Sequence, residues 1–360
     1  MKYHLHFLLT LAVLSGPLSA ADPDPVTRKW TNDSGRVIEA ELGAYDGTNV
    51  TLIMKGKEFK VPVDKLSQED RDWLARWQVE QHERSAKLAE QSAKLAGVRK
   101  NAPISRRYGQ ATDDYFKGPF GKALRDFYDT KVSICDDGGK GLFMKCDESV
   151  AWKDETMLVY CPAAYQGEST PMGVYINLSP GDGPIGLRDG YEQVMDKLKL
   201  VYASPSGTSN ARSDVRRMAL ALDTLATLRA EYKVDDSRVF VGGMSGGGAM
   251  SSWMAVYFPE FRGAINQVRT EHIPSETCFP TVEGGDVRSV ARRKQAFAFV
   301  TGSKDMNYKG IVASIPSWDK QGFVVKLFDV PGMGHENAPA AALEAALRWA
   351  EESSQPPKLK

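Results

Sequence analysis

Arg238-Val239-Phe240-Val241-Gly242-Gly243-Met244-Ser245-Gly246-Gly247-Gly248 is the stretch on which the fold turns. An apolar strand of four residues runs into a cluster of glycines around one serine. The following residues, 249–256, are rich in Ala and Met and read as a helix. The bare string Gly243-x-Ser245-x-Gly247 is common; its place between a strand and a helix gives it meaning. A strand-turn-helix elbow lifts a serine onto strained backbone with its Oγ exposed. Glycines two before and two after it remove the Cβ atoms that would collide in so tight a turn. The N–H of Gly246, at the start of the helix, faces a place where negative charge can gather, and the helix end adds partial positive charge there. A phosphate-binding loop does not fit: no Lys follows at the required spacing and no G-x-G-x-x-G can be drawn.

Outward from this turn the chain alternates between two periods. Residues 174–178, 198–203, 296–300 and 324–328 are apolar runs of strand length, and 211–232 and 340–350 are helical, with Val215, Met218, Leu222, Leu225 and Leu228 at helical spacing. Alternation of this kind predicts an α/β fold with a mostly parallel sheet covered by helices.

A serine nucleophile needs a base, and the chain has five histidines. His4 and His6 fall in an N-terminal export segment and His82 on a polar helix. His335 follows the strand 324–328 in the Gly-rich Pro331-Gly332-Met333-Gly334-His335 loop, at the carboxyl end where open α/β sheets place their sites. His272 sits in an irregular stretch near Cys278 and reads as structural or substrate-lining. The acid that orients the base is Asp305, at the carboxyl end of 296–300, with Asp329 as the alternative. The order Ser245, Asp305, His335 is the serine-acid-histidine order of α/β-hydrolases.

Residues 150–350 resemble an α/β-hydrolase, in particular the secreted polyhydroxybutyrate-depolymerase and feruloyl-esterase-like group. The resemblance is carried by Val159-Tyr160-Cys161-Pro162-Ala163-Ala164-Tyr165, by Val234-Asp235-Asp236-Ser237-Arg238 through Gly248, and by the 302–305 and Gly334-His335 segments. It implies a serine ester hydrolase with catalytic Ser245, His335 and Asp305 and no metal or organic cofactor. The group's usual His-Gly at the first oxyanion strand is replaced here by Asn177-Leu178-Ser179-Pro180-Gly181-Asp182-Gly183. The oxyanion donors expected are therefore Gly246 N–H with Ser179 or Gly181, since Pro180 has no N–H. Sixty residues separate Ser245 from Asp305 and thirty separate Asp305 from His335, which leaves little room for a large lid and predicts an open cleft for bulky or polymeric esters. A serine peptidase of the prolyl-oligopeptidase type shares the triad, and an inactive binding protein on the same scaffold is the non-enzymatic alternative. Trp253, Tyr308 and Trp318 are aromatics near these motifs and read as core.

The N-terminal part has a different rhythm. Ile38, Ala40 and Leu42 alternate with Glu39 and Glu41; Val50, Leu52 and Met54 alternate with Thr51 and Ile53; Phe59, Val61 and Val63 alternate again beyond a Lys55-Gly56-Lys57 turn. Period two with tight turns predicts a small antiparallel sheet or barrel. Ser67 with Asp70 resembles a capping box opening a helix whose stripe Trp73, Leu74 and Trp77 docks on that sheet. The helix turns polar and Ala-rich, serves as a linker over 67–100 and ends at Asn101-Ala102-Pro103. Residues 26–74 resemble the Sla-type homology domain, an SH3-like module, through Arg28-Lys29-Trp30-Thr31, Gly35-Arg36, Val50-Thr51-Leu52 and Val61-Pro62-Val63-Asp64-Lys65-Leu66-Ser67. That resemblance implies a protein or surface partner. The catalytic part is expected over 115–352.

Lys2, an apolar run over 7–14, a break at Ser15-Gly16-Pro17 and small residues through Ala21 form the pattern of a secretory signal peptide over 1–21, too short to span a bilayer. The mature chain is expected to be secreted or periplasmic, with no membrane span. Its four cysteines can then form disulfides. Cys135 and Cys146 flank an Asp136-Asp137-Gly138-Gly139 turn and are one candidate bridge; free thiols are the other reading. Lys plus Arg and Asp plus Glu both number 46 among 360 residues, so no overall field draws the chain to nucleic acid.

Overall fold

The computed structural model describes residues 26–106, 155–212, 214–269 and 287–354. The expected signal peptide, the Cys135–Cys146 bridge, Cys278 and His272 lie outside the described residues. The chain divides into two compact units, Met1–Ala89 and Glu90–Lys360.

In the first unit β1 (Thr27–Thr31), β2 (Val37–Tyr45), β3 (Asn49–Met54) and β4 (Lys57–Pro62) form an antiparallel sheet in sequential order. The alternation works as read: Ala40, Leu42, Val50 and Leu52 are buried with Trp30 while their neighbours in β2 face outward or are half-exposed. Phe59 departs from it, being 42% exposed on the edge strand β4. The helix α1 (Gln68–Leu95) opens as expected, with Ser67 Oγ accepting the Asp70 N–H at 3.2 Å. The reciprocal half of the box is redirected. Asp70 is one carbon shorter than the usual Glu, and its carboxylate takes the Thr31 N–H at 2.6 Å and the Arg28 guanidinium at 2.7 Å. Leu74 is fully buried against the sheet, and Trp73 meets Trp30 edge to face at 5.6 Å between ring centroids.

The helix ends earlier than its sequence suggested. Gly97–Pro103 is not its last turn but a strand, β5, which pairs antiparallel with β6 (Thr156–Cys161). Gly97 has φ +82°, a conformation open to glycine, and it breaks the helix two residues after Leu95. The strand β5 is thus part of the large sheet, upstream of the 115 boundary expected for the catalytic part.

The large sheet adds β7 (Met172–Leu178), β8 (Leu200–Pro205), β9 (Val234–Met244), β10 (Gly263–Gln267), β11 (Ala296–Thr301) and β12 (Val324–Asp329). Its order is β5-β6-β8-β7-β9-β10-β11-β12, antiparallel across its first pairs and parallel from β8 to β12. That order, with one strand crossing at β7/β8, is the α/β-hydrolase arrangement. The helices are α2 (Tyr191–Leu198), α3 (Asp214–Glu231), α4 (Gly246–Tyr257), α5 (Val287–Arg292), α6 (Tyr308–Lys320) and α7 (Ala340–Ser353). They cover both faces. Val174, Ile176, Val239, Val241, Phe297 and Phe299 meet Met218, Leu222, Leu225 and Leu228 of α3, Met254 of α4 and Trp318 of α6 in one core. On the opposite face Tyr175, Tyr202, Phe240, Ala298 and Val300 meet Val194 and Leu198 of α2 and Leu343 and Leu347 of α7. Both faces being covered, these strands read as continuous apolar runs.

Candidate active site

Three parallel strands deliver the three side chains to one edge of the sheet. Ser245 directly follows β9, Asp305 lies four residues beyond β11 and His335 six residues beyond β12. The structure brings them together. His335 Nε2 is 2.9 Å from Ser245 Oγ, and His335 Nδ1 is 2.8 Å from Asp305 Oδ1. A carboxylate only accepts, so the imidazole proton sits on Nδ1 and the Nε2 lone pair faces the serine hydroxyl. Asp329 is elsewhere: its carboxylate takes the Tyr308 hydroxyl at 2.6 Å.

The serine turn carries the strain the motif calls for. Ser245 has φ +55° and ψ −122°, sparsely populated for any residue with a Cβ, and costs about 1–3 kcal/mol that the surrounding packing must offset. The flanking glycines work by close approach. A Cβ on Gly247 would lie 1.9 Å from Leu178 O, and one on Gly243 would lie 2.4 Å from Gly247 C. The Ser245 N–H is held by Gln267 O at 2.9 Å.

The acid is buried and fully engaged. Besides His335, the Asp305 carboxylate accepts the Thr301 hydroxyl at 2.7 Å and the Asn307 N–H at 3.1 Å. Asn307 Nδ2 in turn donates to Val268 O at 2.9 Å, tying the acid loop to the end of β10.

A chain of buried polar groups runs below the site. Ala338 N–H, three residues past His335, donates to Gln267 Oε1 at 2.7 Å; Gln267 Nε2 donates to the Tyr175 hydroxyl at 3.2 Å; Tyr175 donates to Asn177 Oδ1 at 3.3 Å; Asn177 Nδ2 donates to the Tyr202 hydroxyl at 3.1 Å; and Tyr202 donates to Ile185 O at 2.8 Å. Burial pushes the Tyr175 and Tyr202 phenols up from their ordinary value, so both stay protonated and able to donate. Donors and acceptors all point one way, which lets each bond polarise the next. Gln267 therefore steadies both the serine turn and the histidine loop.

The oxyanion candidates divide. Gly246 heads α4, where the first N–H groups of a helix have no partner within it. Ser179 N–H, by contrast, donates to Thr208 Oγ1 at 3.2 Å, and Gly181 N–H donates to Ser179 Oγ at 3.1 Å. Both groups proposed from the sequence are already engaged within the structure. Of the aromatics, Trp318 is fully buried, Trp253 packs half-buried against Tyr257, and Tyr308 lies at the surface on Asp329. Gln267 and Asn307, which hold the serine turn, the histidine loop and the acid, are residues that motif reading missed. A signal existed for the first: Asn266-Gln267 ends an apolar strand with two amides.

Among the described residues no cluster of His, Cys, Asp and Glu is arranged to hold a metal ion, and no helix is long and apolar enough to cross a membrane.

No family model and no curated protein matches the chain. Among solved structures it is similar to an S-formylglutathione hydrolase from Staphylococcus aureus, with 15% identity over 57% of this chain and 95% of that one and a TM-score of 0.43. An esterase from Thermogutta terrifontis shows 17% identity over 57% of this chain and 88% of that one, with a TM-score of 0.41. A dipeptidyl-aminopeptidase-IV-like protein from Bacteroides ovatus matches at 15% identity and a TM-score of 0.43; the match covers 58% of this chain and only 35% of that larger protein.

Proposed function

We propose that the protein is a serine carboxylic-ester hydrolase. The observation that carries this reading is the line of short contacts from the strained Ser245 through His335 to the buried Asp305. Ser245 Oγ attacks the ester carbonyl carbon while His335 Nε2 takes its proton, and the carbonyl π pair moves onto oxygen. Asp305 holds the imidazole in the required tautomer and stabilises the imidazolium. The tetrahedral adduct collapses, the C–O bond to the alcohol breaks, and His335 returns the proton to the departing alkoxide. Water, deprotonated by the same Nε2, then attacks the acyl carbonyl; as this second adduct collapses, the C–O bond to Ser245 breaks, His335 returns the proton to Ser245 Oγ, and the acid leaves. Apart from the ester and water, every group in this scheme belongs to the chain.

The short spacing between Ser245, Asp305 and His335 supports bulky or polymer-linked esters as substrates. The signal-peptide pattern supports a secreted or periplasmic protein, and the resemblance of 26–74 to the Sla-type homology domain supports a protein or surface partner for the first unit.

The test is turnover of a p-nitrophenyl ester series beside matched anilides, with Ser245→Ala as control. Ester hydrolysis well above anilide hydrolysis, lost in the variant, is the expected result. Preferential anilide cleavage would move the reading to a peptidase. No turnover of either by the folded wild type would favour a binding protein.

A further inference from the structure

A tetrahedral oxyanion needs more than one preorganised donor. Gly246 N–H is placed to be one, whereas the Ser179 and Gly181 N–H groups are committed to Thr208 and to Ser179 itself. We propose that the second donor is a side chain, the carboxamide of Asn210, and that Arg217 sets its orientation. This rests on the ester-hydrolase reading and adds a catalytic residue to it.

The placement comes from two loops joined by the fold. Asn210 follows β8, yet its N–H donates to Pro180 O at 2.9 Å, which seats it beside the loop after β7. Gly207 N–H donates to Asp182 O at 2.7 Å and makes the same join a second time. The Asn210 carboxamide then lies directly on Gly246 Cα, next to the nucleophile. A Cβ built on Gly246 would be 1.8 Å from Asn210 Oδ1, 2.5 Å from its Cγ and 2.8 Å from its Nδ2. Glycine at 246 is what lets an amide occupy this place.

Arg217 decides which way the amide faces. Its guanidinium is fully buried and only donates. Nη2 reaches Gly246 O at 2.8 Å and Asn210 Oδ1 at 3.4 Å, Nε reaches Thr208 O at 2.9 Å, and Nη1 reaches Asp214 Oδ1 at 3.3 Å. One cation thus holds the first peptide of α4, the carboxamide of Asn210 and the residue that caps the Ser179 N–H. With its oxygen turned to Arg217, Asn210 presents its NH2 group, which meets no acceptor among the described residues. The positive charge behind the oxygen polarises the amide and makes that NH2 a stronger donor. Asn210 is otherwise exposed and belongs to neither hydrophobic core of its unit.

The experiment compares wild type, Asn210→Ala and Asn210→Asp on a p-nitrophenyl ester the wild type turns over. It also measures inhibition by a trifluoromethyl ketone, whose adduct with Ser245 carries the oxyanion. Loss of one oxyanion donor lowers kcat by roughly 10²–10³-fold. The expected result is that fall for Asn210→Ala, with KM within about threefold and ketone affinity weakened by the same factor as kcat/KM. Asn210→Asp, which places an acceptor against the oxyanion, should fall further, and both variants should keep the wild-type thermal transition. A folded variant within threefold of wild-type kcat, or a kcat loss unmatched in ketone affinity, overturns Asn210 and leaves the hydrolase reading standing. Loss of folding in both variants makes the side chain structural and also overturns it. A wild type with neither ester turnover nor ketone binding defeats the hydrolase reading, and the proposal with it.

Discussion

The two sheets of this chain bury polar groups for opposite ends. In the small antiparallel sheet the buried carboxylate of Asp70 takes one backbone N–H, one guanidinium and one hydroxyl, and its whole effect is to fix α1 on β1. In the large sheet the buried polar groups gather at the carboxyl edge of the strands: Asp305 beneath His335, Gln267 beneath both the histidine loop and the serine turn, and Arg217 beneath Gly246. Burying such groups costs free energy unless each finds partners. The small unit meets that cost to specify a docking, and the large unit meets it to hold a reactive geometry.

Perturbations on the two sides should therefore separate activity from stability. The largest effect is expected from His335→Ala, which removes the proposed base and should lower kcat by about 10⁴-fold or more while leaving the thermal transition in place; steady-state kinetics and calorimetry check the two halves. Gly247→Ala forces a Cβ to within 1.9 Å of Leu178 O. Backbone cannot yield as a flexible side chain does, so the large unit should lose about 3 kcal/mol or more, read by urea denaturation of the full chain. In the small unit Asp70→Ala strands the Thr31 N–H and Arg28 and should cost about 2 kcal/mol. Ester turnover should stay within twofold of wild type; a large activity loss there would mean that the small unit also serves the reactive geometry. The smallest effect concerns Cys161, whose thiol burial pushes up to about 12. The unfolded thiol ionises first as pH rises, so its contribution to stability is complete below about pH 8.5 and declines from there toward 12. Iodoacetamide at pH 8 should accordingly spare Cys161 in the native protein and modify it in urea.

Much of this was legible in the chain because the relevant signals are local. The period of β2 and β3, the apolar runs of β7, β9 and β11, and the strand-glycine-serine-helix string each declare themselves within about ten residues. Asp305 and His335 could be ranked by position at strand ends, yet only the 2.8 Å contact separates Asp305 from Asp329, which bonds Tyr308. What escaped is what the tertiary fold assembles. The strand β5 reads as a polar continuation of α1, and its strand state comes from pairing with β6, more than fifty residues away in sequence. The short β10 ends in Asn266-Gln267, whose amides look out of place until their partners are seen. Phe59 keeps period two on an edge strand and still faces outward. Ser179 and Gly181 were reasonable donors by position, and hydrogen bonds to Thr208 and Ser179 remove them.

The central claim is that Ser245 is an activated nucleophile. Labelling with a fluorophosphonate probe tests it most directly, run on the wild-type chain beside Ser245→Ala with matched thermal transitions. An activated Ser245 gives stoichiometric labelling of the wild type on that residue and none of the variant. An unlabelled but folded wild type, or equal labelling of both, would contradict it.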